Sequence, residues 1–292
     1  MYKILAMTAL IIVTLAIVTT SQFAKTPSIN TETSKSIEIT KVTAKNNGID
    51  LELVWKEVEN ANEYALYCDQ MSIGKTKGNS YIINGILYNC DFLGCRHYVN
   101  VCKEIEIITI PRFGGEKRRV TLDLSPKVIQ ISGIATNDIS DKYWIKIDFS
   151  TNEVKVVSEN EVDPNKPNTG WIAFFNNNGK PELRDLGETG KGFANMVISF
   201  GRGYLSPYLS PDSKDYTKKI TISSAGDKIF FWADNRENGY GKIDANDYFG
   251  VIIVKSLVES DDPLIYKGVG PYKVDLEIFI QDKVRGLRWI KY

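Results

Sequence analysis

Apolar and polar residues alternate along most of this 292-residue chain. The alternation is regular in segments such as 50–55, 143–149 and 274–280, where every second residue is a large apolar one. A period of two is typical of β-strands that bury one face. Short runs rich in Gly, Asn, Asp and Pro separate these segments and indicate turns. The sequence therefore predicts an all-β protein built of antiparallel β-sandwiches.

The N-terminus has the composition of an export segment. Lys3 precedes an uncharged apolar run over residues 4–18, which is shorter than the roughly 20 residues that a membrane-spanning helix needs. We predict a signal peptide at residues 1–24, and an uncleaved signal anchor is the alternative. Residues 25–36 are rich in Ser and Thr and are predicted to form a linker. The rest of the chain is expected to be secreted or displayed at the cell surface.

The length of the chain predicts its number of domains, and its net charge limits the classes of partner that it can bind. The length predicts about two domains, with a boundary at Ser125-Pro126 that gives domains at 37–125 and 126–292. A last apolar stripe with Leu287, Trp289 and Ile290 is expected to cover or extend the sandwich of the second domain. Lys and Arg (36) balance Asp and Glu (36), so the formal net charge is +0. No basic field attracts nucleic acid, and membrane contact is expected only through an uncleaved N-terminal segment.

The cysteines are concentrated in the first predicted domain. All four fall within one short stretch and are Cys68, Cys90, Cys95 and Cys102. An even number of cysteines in an exported chain favours two disulfides, and four cysteines allow three pairings between which the spacing does not choose. A zinc site is the alternative, although the C-x₄-C-x₆-C spacing lacks the paired C-x₂-C of zinc ribbons.

The sequence contains few groups suited to catalysis. His97 is the only histidine and falls within an ordinary strand pattern, so the second domain cannot supply a Ser-His-Asp or Cys-His arrangement. Glycoside hydrolysis needs two facing carboxylates, and no pair of Asp or Glu residues is singled out by its context. We therefore predict that the protein is not an enzyme.

The segment 51–82 has a distinctive order of aromatic and small residues. A core tryptophan, an Ala-x-x-Tyr loop end, a Tyr-x-x-Tyr strand and a Gly-x-Thr hairpin follow one another. These positions are held by Trp55, Ala61, Tyr64, Tyr67, Gly74 and Thr76. The pattern resembles a fibronectin type III module over about residues 36–125, with YNCDFLGC as an insert that departs from that family. The resemblance implies a spacer or adhesion unit.

An acidic loop separates two late strands, which are predicted at 228–233 and 248–257. Gly239 and Gly241 permit tight bends in it. Its side chains with oxygen ligands are those of Asp234, Asn235, Glu237, Asn238, Asp244, Asn246 and Asp247. Ca²⁺ accepts six to eight oxygen ligands in irregular geometry, so the composition suits a calcium site. The alternative is a plain turn, because Asn, Asp and Gly are the usual turn residues.

The order of elements over about residues 127–257 resembles the β-sandwich of the bacterial calcium-dependent galactose-binding lectins. The likeness depends on the valine-rich strand at 154–157, the glycine-flanked strand at 192–201, the dipeptide Tyr240-Gly241 and the acidic loop. It implies a jelly-roll or lectin-like second domain. It also implies calcium ligands from the side chains of Asp234, Asn246 and Asp247 and from backbone oxygens near Asn238 and Tyr240.

Some positions depart from that lectin family. Asp163 or Pro164 stands where the family has a tyrosine whose backbone completes the metal site, and the histidine and glutamine that help to hold sugar are missing. Trp232 and Tyr248 flank the loop as expected aromatic contacts to a sugar, with Asp244 as a polar contact. We expect calcium-dependent binding of a glycan or another cell-surface component. The alternative is a structural surface or adhesion protein whose acidic loop is a turn or a stabilising metal site.

Overall fold

The computed structural model describes residues 36–91, 94–136, 143–191, 194–203, 206–235, 241–259 and 271–292. The predicted signal segment and nearly all of the predicted linker lie outside these ranges. Within them the chain forms antiparallel strands and short 3₁₀ turns at Glu159–Glu161, Leu186–Thr189 and Ser213–Asp215. The prediction of an all-β sandwich protein is therefore confirmed. None of the helical turns in these ranges is long and apolar enough to cross a membrane.

The N-terminal part of the described chain forms the first sandwich. Its strands are β1 (Ile39–Lys45), β2 (Asp50–Trp55), β3 (Ala61–Cys68), β4 (Met71–Thr76), β5 (Ser80–Ile83), β6 (Ile86–Asp91), β7 (Gly94–Val99), β8 (Glu104–Pro111) and β9 (Arg119–Asp123). They pair into a three-stranded sheet, β1-β2-β5, and a four-stranded sheet, β4-β3-β8-β9, while β6 and β7 form a separate hairpin.

Alternation along β2 explains how this sandwich closes. Leu51, Leu53 and Trp55 share one face and are buried in a common core. The ring of Trp55 meets the ring of Tyr64 on β3 edge to face, with centroids 5.1 Å apart, a geometry that aromatic pairs prefer. The contact joins the two sheets.

The remaining strands form the second sandwich. They are β10 (Lys127–Ala135), β11 (Tyr143–Asp148), β12 (Glu153–Ser158), β13 (Thr169–Asn177), β14 (Lys180–Asp185), β15 (Val197–Gly201), β16 (Lys219–Thr221), β17 (Lys228–Asp234), β18 (Tyr248–Glu259) and β19 (Tyr272–Ile280). Two five-stranded sheets result, with the orders β10-β19-β18-β17-β15 and β12-β11-β13-β14-β16. The core between them includes Ile147, Phe174, Ile198, Phe231 and Ile252, each 0% exposed.

The two sandwiches have separate sheets but share core residues. Strands β1–β9 pair only among themselves, as do β10–β19, and residues 36–292 form one compact unit. Leu287 and Trp289 pack in the core of the first sandwich, whereas Ile290 packs on the second, so the predicted stripe contacts both sandwiches. Their alternation marked an apolar face, but it carried no information on which core would receive that face. The boundary at Ser125-Pro126 stays a prediction.

One of the predicted disulfides is present. Cys68 at the end of β3 is bonded to Cys102, with Cα atoms 5.3 Å apart, and both cysteines are buried. Cys90 and Cys95 lie opposite each other in the backbone pairing of β6 and β7, but their side chains lie outside the described part of the chain. The disulfide prediction is therefore confirmed for the pair Cys68–Cys102.

Gly250 of β18 offers a test of the packing in the second sandwich. A Cβ at this position would lie 2.1 Å from Cζ of Phe231 and 2.5 Å from the carbonyl oxygen of Phe279. We expect Gly250→Ala to lower the free energy of unfolding by about 3 kcal/mol, as measured by urea denaturation, because overpacking forces neighbours to move. Gly78→Ala is the matched control, since the nearest atom would be 3.7 Å away, and its effect should stay below about 0.5 kcal/mol. Equal stability of the two variants would contradict this packing.

Candidate functional site

The acidic segment, residues 234–247, joins two neighbouring strands at one end of the second sandwich. β17 ends with Asp234 and β18 begins with Tyr248. Ala233 lies opposite Tyr248 in their antiparallel pairing. Asp234 and Asp247 each lie one residue beyond this pair, so they reach the same end of the same sheet. The structure thus brings together the two aspartates that the sequence singled out.

Both carboxylates are buried. Asp234 is 3% exposed and Asp247 is 1% exposed. Residues two apart on a strand share a face, so Asp234 lies on the face of Trp232, whereas Ala233 between them belongs to the inner core. The site is therefore built on the outer face of its sheet, where other segments cover it.

Backbone amides hold the carboxylates of the acidic segment. Oδ2 of Asp234 accepts a hydrogen bond from the N–H of Gly241 at 2.9 Å. Oδ2 of Asp247 accepts one from the N–H of Asp244 at 2.9 Å, and Oδ1 of Asp244 accepts one from the N–H of Asn246 at 2.6 Å. These local bonds are of the kind that Asp makes in turns, and they orient the acidic groups relative to one another.

The electrostatics of the site disfavour ionisation of Asp247. Burial, together with the charges of Asp244 and Asp234, raises the pKa of Asp247 to about 7, although the N–H of Asp244 and the nearby indole of Trp232 act in the opposite direction. Nε1 of Trp232 makes no hydrogen bond of normal geometry to any described residue, so its effect on Asp247 is that of a nearby dipole. Three acidic groups therefore lie near one another, and two of them, Asp234 and Asp247, are buried.

The donor set partly fits a calcium ion. A divalent cation would offset the buried charges and replace the proton on Asp247. Among the described residues, however, no three Asp, Glu, His or Cys side chains lie close enough together to hold a metal ion. A calcium site here must therefore add amide or backbone oxygens to Asp234 and Asp247, and Asn246 is the predicted contributor that lies among the described residues. Asn238 and Tyr240, the other predicted contributors, lie outside the described residues.

The predicted aromatic sugar contacts are packed inside the protein. Trp232 and Tyr248 are each 3% exposed. The ring of Trp232 meets that of Tyr216 edge to face at 5.7 Å, and Tyr248 stacks on Phe149 at 4.6 Å. Neither ring presents a solvent-accessible face, so the expectation that they stack on a sugar does not match their packing. Asp244 is half-buried and remains within reach of a ligand.

A glycine far along the chain supports the acidic segment. The N–H of Gly286 donates to the backbone oxygen of Asp247 at 2.8 Å. Gly286 has a φ of +73°, and a Cβ there would lie 2.7 Å from the carbonyl oxygen of Asp244, so the position requires glycine. Sequence reasoning missed this residue, because an isolated Gly in a turn gives no sign of which distant segment it contacts.

The loop after the valine-rich strand reaches the same end of the sandwich. Val197 of β15 lies opposite Asp234. Two residues earlier, Asn195 donates from its backbone N–H to the oxygen of Pro164 at 3.0 Å and from Nδ2 to the oxygen of Asn165 at 2.8 Å. The lectin resemblance aligned this loop with a backbone ligand of the metal, and the structure places the loop close to the strand end that carries Asp234.

Comparison of the sequence with known protein families and with curated proteins gives no match. The resemblances to fibronectin type III modules and to calcium-dependent lectins therefore stay predictions.

Replacement of Asp247 by Asn tests the electrostatics of the site. The folded protein keeps the proton of Asp247 up to about pH 7, whereas an exposed Asp loses it near pH 4. Between these values the folded state binds more protons than the unfolded state, so this residue lowers stability as the pH rises through that range. At pH 8 and without calcium, we expect Asp247→Asn to be more stable than the wild type by about 1–3 kcal/mol.

Urea denaturation in the presence of a chelator at pH 4 and pH 8 measures this effect, and the gain should shrink at pH 4. Asp123→Asn is the control, because Asp123 caps a turn at the end of the first sandwich through Ser125 and should give no gain at either pH. A loss of stability in Asp247→Asn at pH 8 would show that the carboxylate is compensated in the folded protein.

Proposed function

We propose that the chain is an exported carbohydrate-binding protein, secreted or held at the cell surface, which binds a glycan through a calcium ion at the acidic segment. The main support is the burial of Asp234 and Asp247, 3% and 1% exposed, at the same strand end. Burial disfavours the charged form of Asp247, and a cation beside it would stabilise that form. A calcium ion would do so and leave the loop surface available to a ligand.

The residues of the acidic segment have separate roles in this proposal. Asp234, Asp247 and Asn246 would hold the ion. The N–H groups of Gly241 and Asp244 already orient the two carboxylates, so little side-chain entropy is lost when they bind. When bound, calcium supplies coordination positions that sugar hydroxyls can fill. The half-buried carboxylate of Asp244 would accept a hydrogen bond from a neighbouring hydroxyl.

The first sandwich supports a presenting role. Its sheets of three and four strands suit a fibronectin type III-like spacer, and the two five-stranded sheets that follow suit a lectin-like domain. The disulfide Cys68–Cys102 is typical of proteins that reside in an oxidising environment outside the cytoplasm. Export would place the acidic segment where calcium and glycans occur.

A structural surface or adhesion protein is the second candidate. The bond from Gly286 to Asp247 ties the acidic segment to the end of the chain, and the rings of Trp232 and Tyr248 are used in packing. In this case a cation at Asp234 and Asp247 would stabilise the fold without contacting a sugar.

Calorimetric titration with Ca²⁺, followed by a glycan array with and without chelator, tests the proposal. We expect calcium binding, and glycan binding that the chelator abolishes. Asp234→Asn should weaken calcium binding by about tenfold or more, because it removes a charged ligand. Asp123→Asn, in the first sandwich, should leave calcium affinity unchanged.

The outcomes separate the candidates. Calcium binding without glycan binding would favour the structural protein. No calcium binding by the wild type, or equal affinities for the wild type and Asp234→Asn, would contradict the proposed site.

A further inference from the structure

The C-terminal segment, residues 284–292, contacts both sandwiches. Leu287 and Trp289 are 0% exposed and belong to the core of the first sandwich. Ile290 packs with Phe230 and Phe279 on the outer face of the second. The end of the chain therefore fills the space where the two sandwiches meet.

Hydrogen bonds attach this segment to the first sandwich at the β1–β2 turn. The N–H of Arg288 donates to the oxygen of Gly48 at 2.9 Å, and Nε1 of Trp289 donates to the oxygen of Ile49 at 2.7 Å. Gly85 makes room for the indole, since a Cβ there would lie 2.7 Å from Nε1. The indole is thus both buried and satisfied as a donor.

Other bonds attach the same segment to residues 206–210, whose Tyr208 and Leu209 pack in the core of the first sandwich. The N–H of Ile290 donates to the oxygen of Tyr208 at 2.8 Å, and the oxygen of Arg288 accepts from the N–H of Ser210 at 3.0 Å. Nε of Arg288 also donates to the oxygen of Ser210 at 3.0 Å. The Arg288 amide therefore reports on the contact with the β1–β2 turn, and the Ile290 amide on the contact with Tyr208.

Lys291, the second-last residue of the segment, enters a polar socket formed by Asp69 and Val101 of the first sandwich. Its Nζ donates to Oδ2 of Asp69 at 2.5 Å and to the oxygen of Val101 at 3.2 Å. Oδ1 of Asp69 in turn accepts from the N–H of Lys103 at 2.9 Å and from the N–H of Glu104 at 2.8 Å. Charge-assisted bonds of this kind are stronger than neutral ones.

The disulfide lies directly behind this socket. Asp69 follows Cys68 in the chain, and Val101 precedes Cys102, to which Cys68 is bonded. Each of the two groups that bind Lys291 is therefore next to one end of the same covalent cross-link. The cross-link limits how far the two walls of the socket can separate.

We propose that the C-terminal segment is a latch between the sandwiches, and that the Cys68–Cys102 disulfide keeps the Lys291 socket closed around it. Reduction by a dithiol transfers two electrons and two protons to the cysteines, breaks the S–S bond and leaves two thiols, while the dithiol becomes a disulfide. The socket walls then separate more easily and the latch opens more often. The two sandwiches hold one orientation in an oxidising environment and gain mobility at this joint after reduction.

Native-state amide exchange of the whole chain, followed by NMR, tests the latch. The disulfide is removed by substitution of Cys68 and Cys102, because a reductant would also act on Cys90 and Cys95. In Cys68→Ala/Cys102→Ala we expect the Arg288 amide and the Trp289 indole N–H to exchange about tenfold faster or more. The Val254 amide, bonded to the oxygen of Asp227 within the second sandwich, should change by less than about twofold. Lys291→Met removes the ammonium group and keeps an apolar side chain. It should speed exchange at the Arg288 amide and the Trp289 indole N–H in the same way, with the disulfide intact.

Lys255→Met is the matched control, since Lys255 pairs with Glu277 on the second sandwich and should alter none of these rates. Unchanged exchange at Arg288 and Trp289 in the double cysteine variant overturns the proposal, as does unchanged exchange in Lys291→Met. If the double variant loses protection throughout β2 as well, the disulfide stabilises the whole sandwich and has no specific role at the latch, which also overturns the proposal.

Discussion

Burial of the Trp289 indole connects the two halves of this protein. The ring belongs to the last residues of the chain but completes the core of a sandwich formed by the first strands. Its N–H finds a partner in Ile49, so the ring enters that core without an unsatisfied donor. Because the two sandwiches share no sheet, this apolar contact and the hydrogen bonds around it give them a common core.

The acidic segment lies next to that junction. Gly286 donates to the backbone of Asp247, and a Cβ on Gly48 of the β1–β2 turn would lie 2.0 Å from the oxygen of Gly286. The acidic segment, the C-terminal segment and the first sandwich are therefore in continuous contact. Burying Asp247 in this place opposes folding, since its charged form is disfavoured. Such local electrostatic costs are characteristic of functional sites.

Much of the fold follows from local pattern. Alternation located β2, β11 and β19, and the Asp- and Gly-rich stretch between two apolar runs located the loop from Asp234 to Asp247. The antiparallel pairing of the flanking strands then made it possible to expect the two aspartates at one end. The surroundings of the Trp232 and Tyr248 rings could not be predicted in this way, because a strand position beside a loop can face either a ligand or another segment. The structure covers both rings.

The order of residues along the chain was therefore sufficient to predict antiparallel strands, the turns between them and an acidic loop. Each of these features depends on residues that are close together in the sequence. Three-dimensional packing decided that Trp289 enters the first core, that Cys68 pairs with Cys102 and that Gly286 supports Asp247. These contacts join residues far apart in the chain. A period of two shows that a face is apolar, but only the competition among all apolar faces for burial selects the segment that covers it.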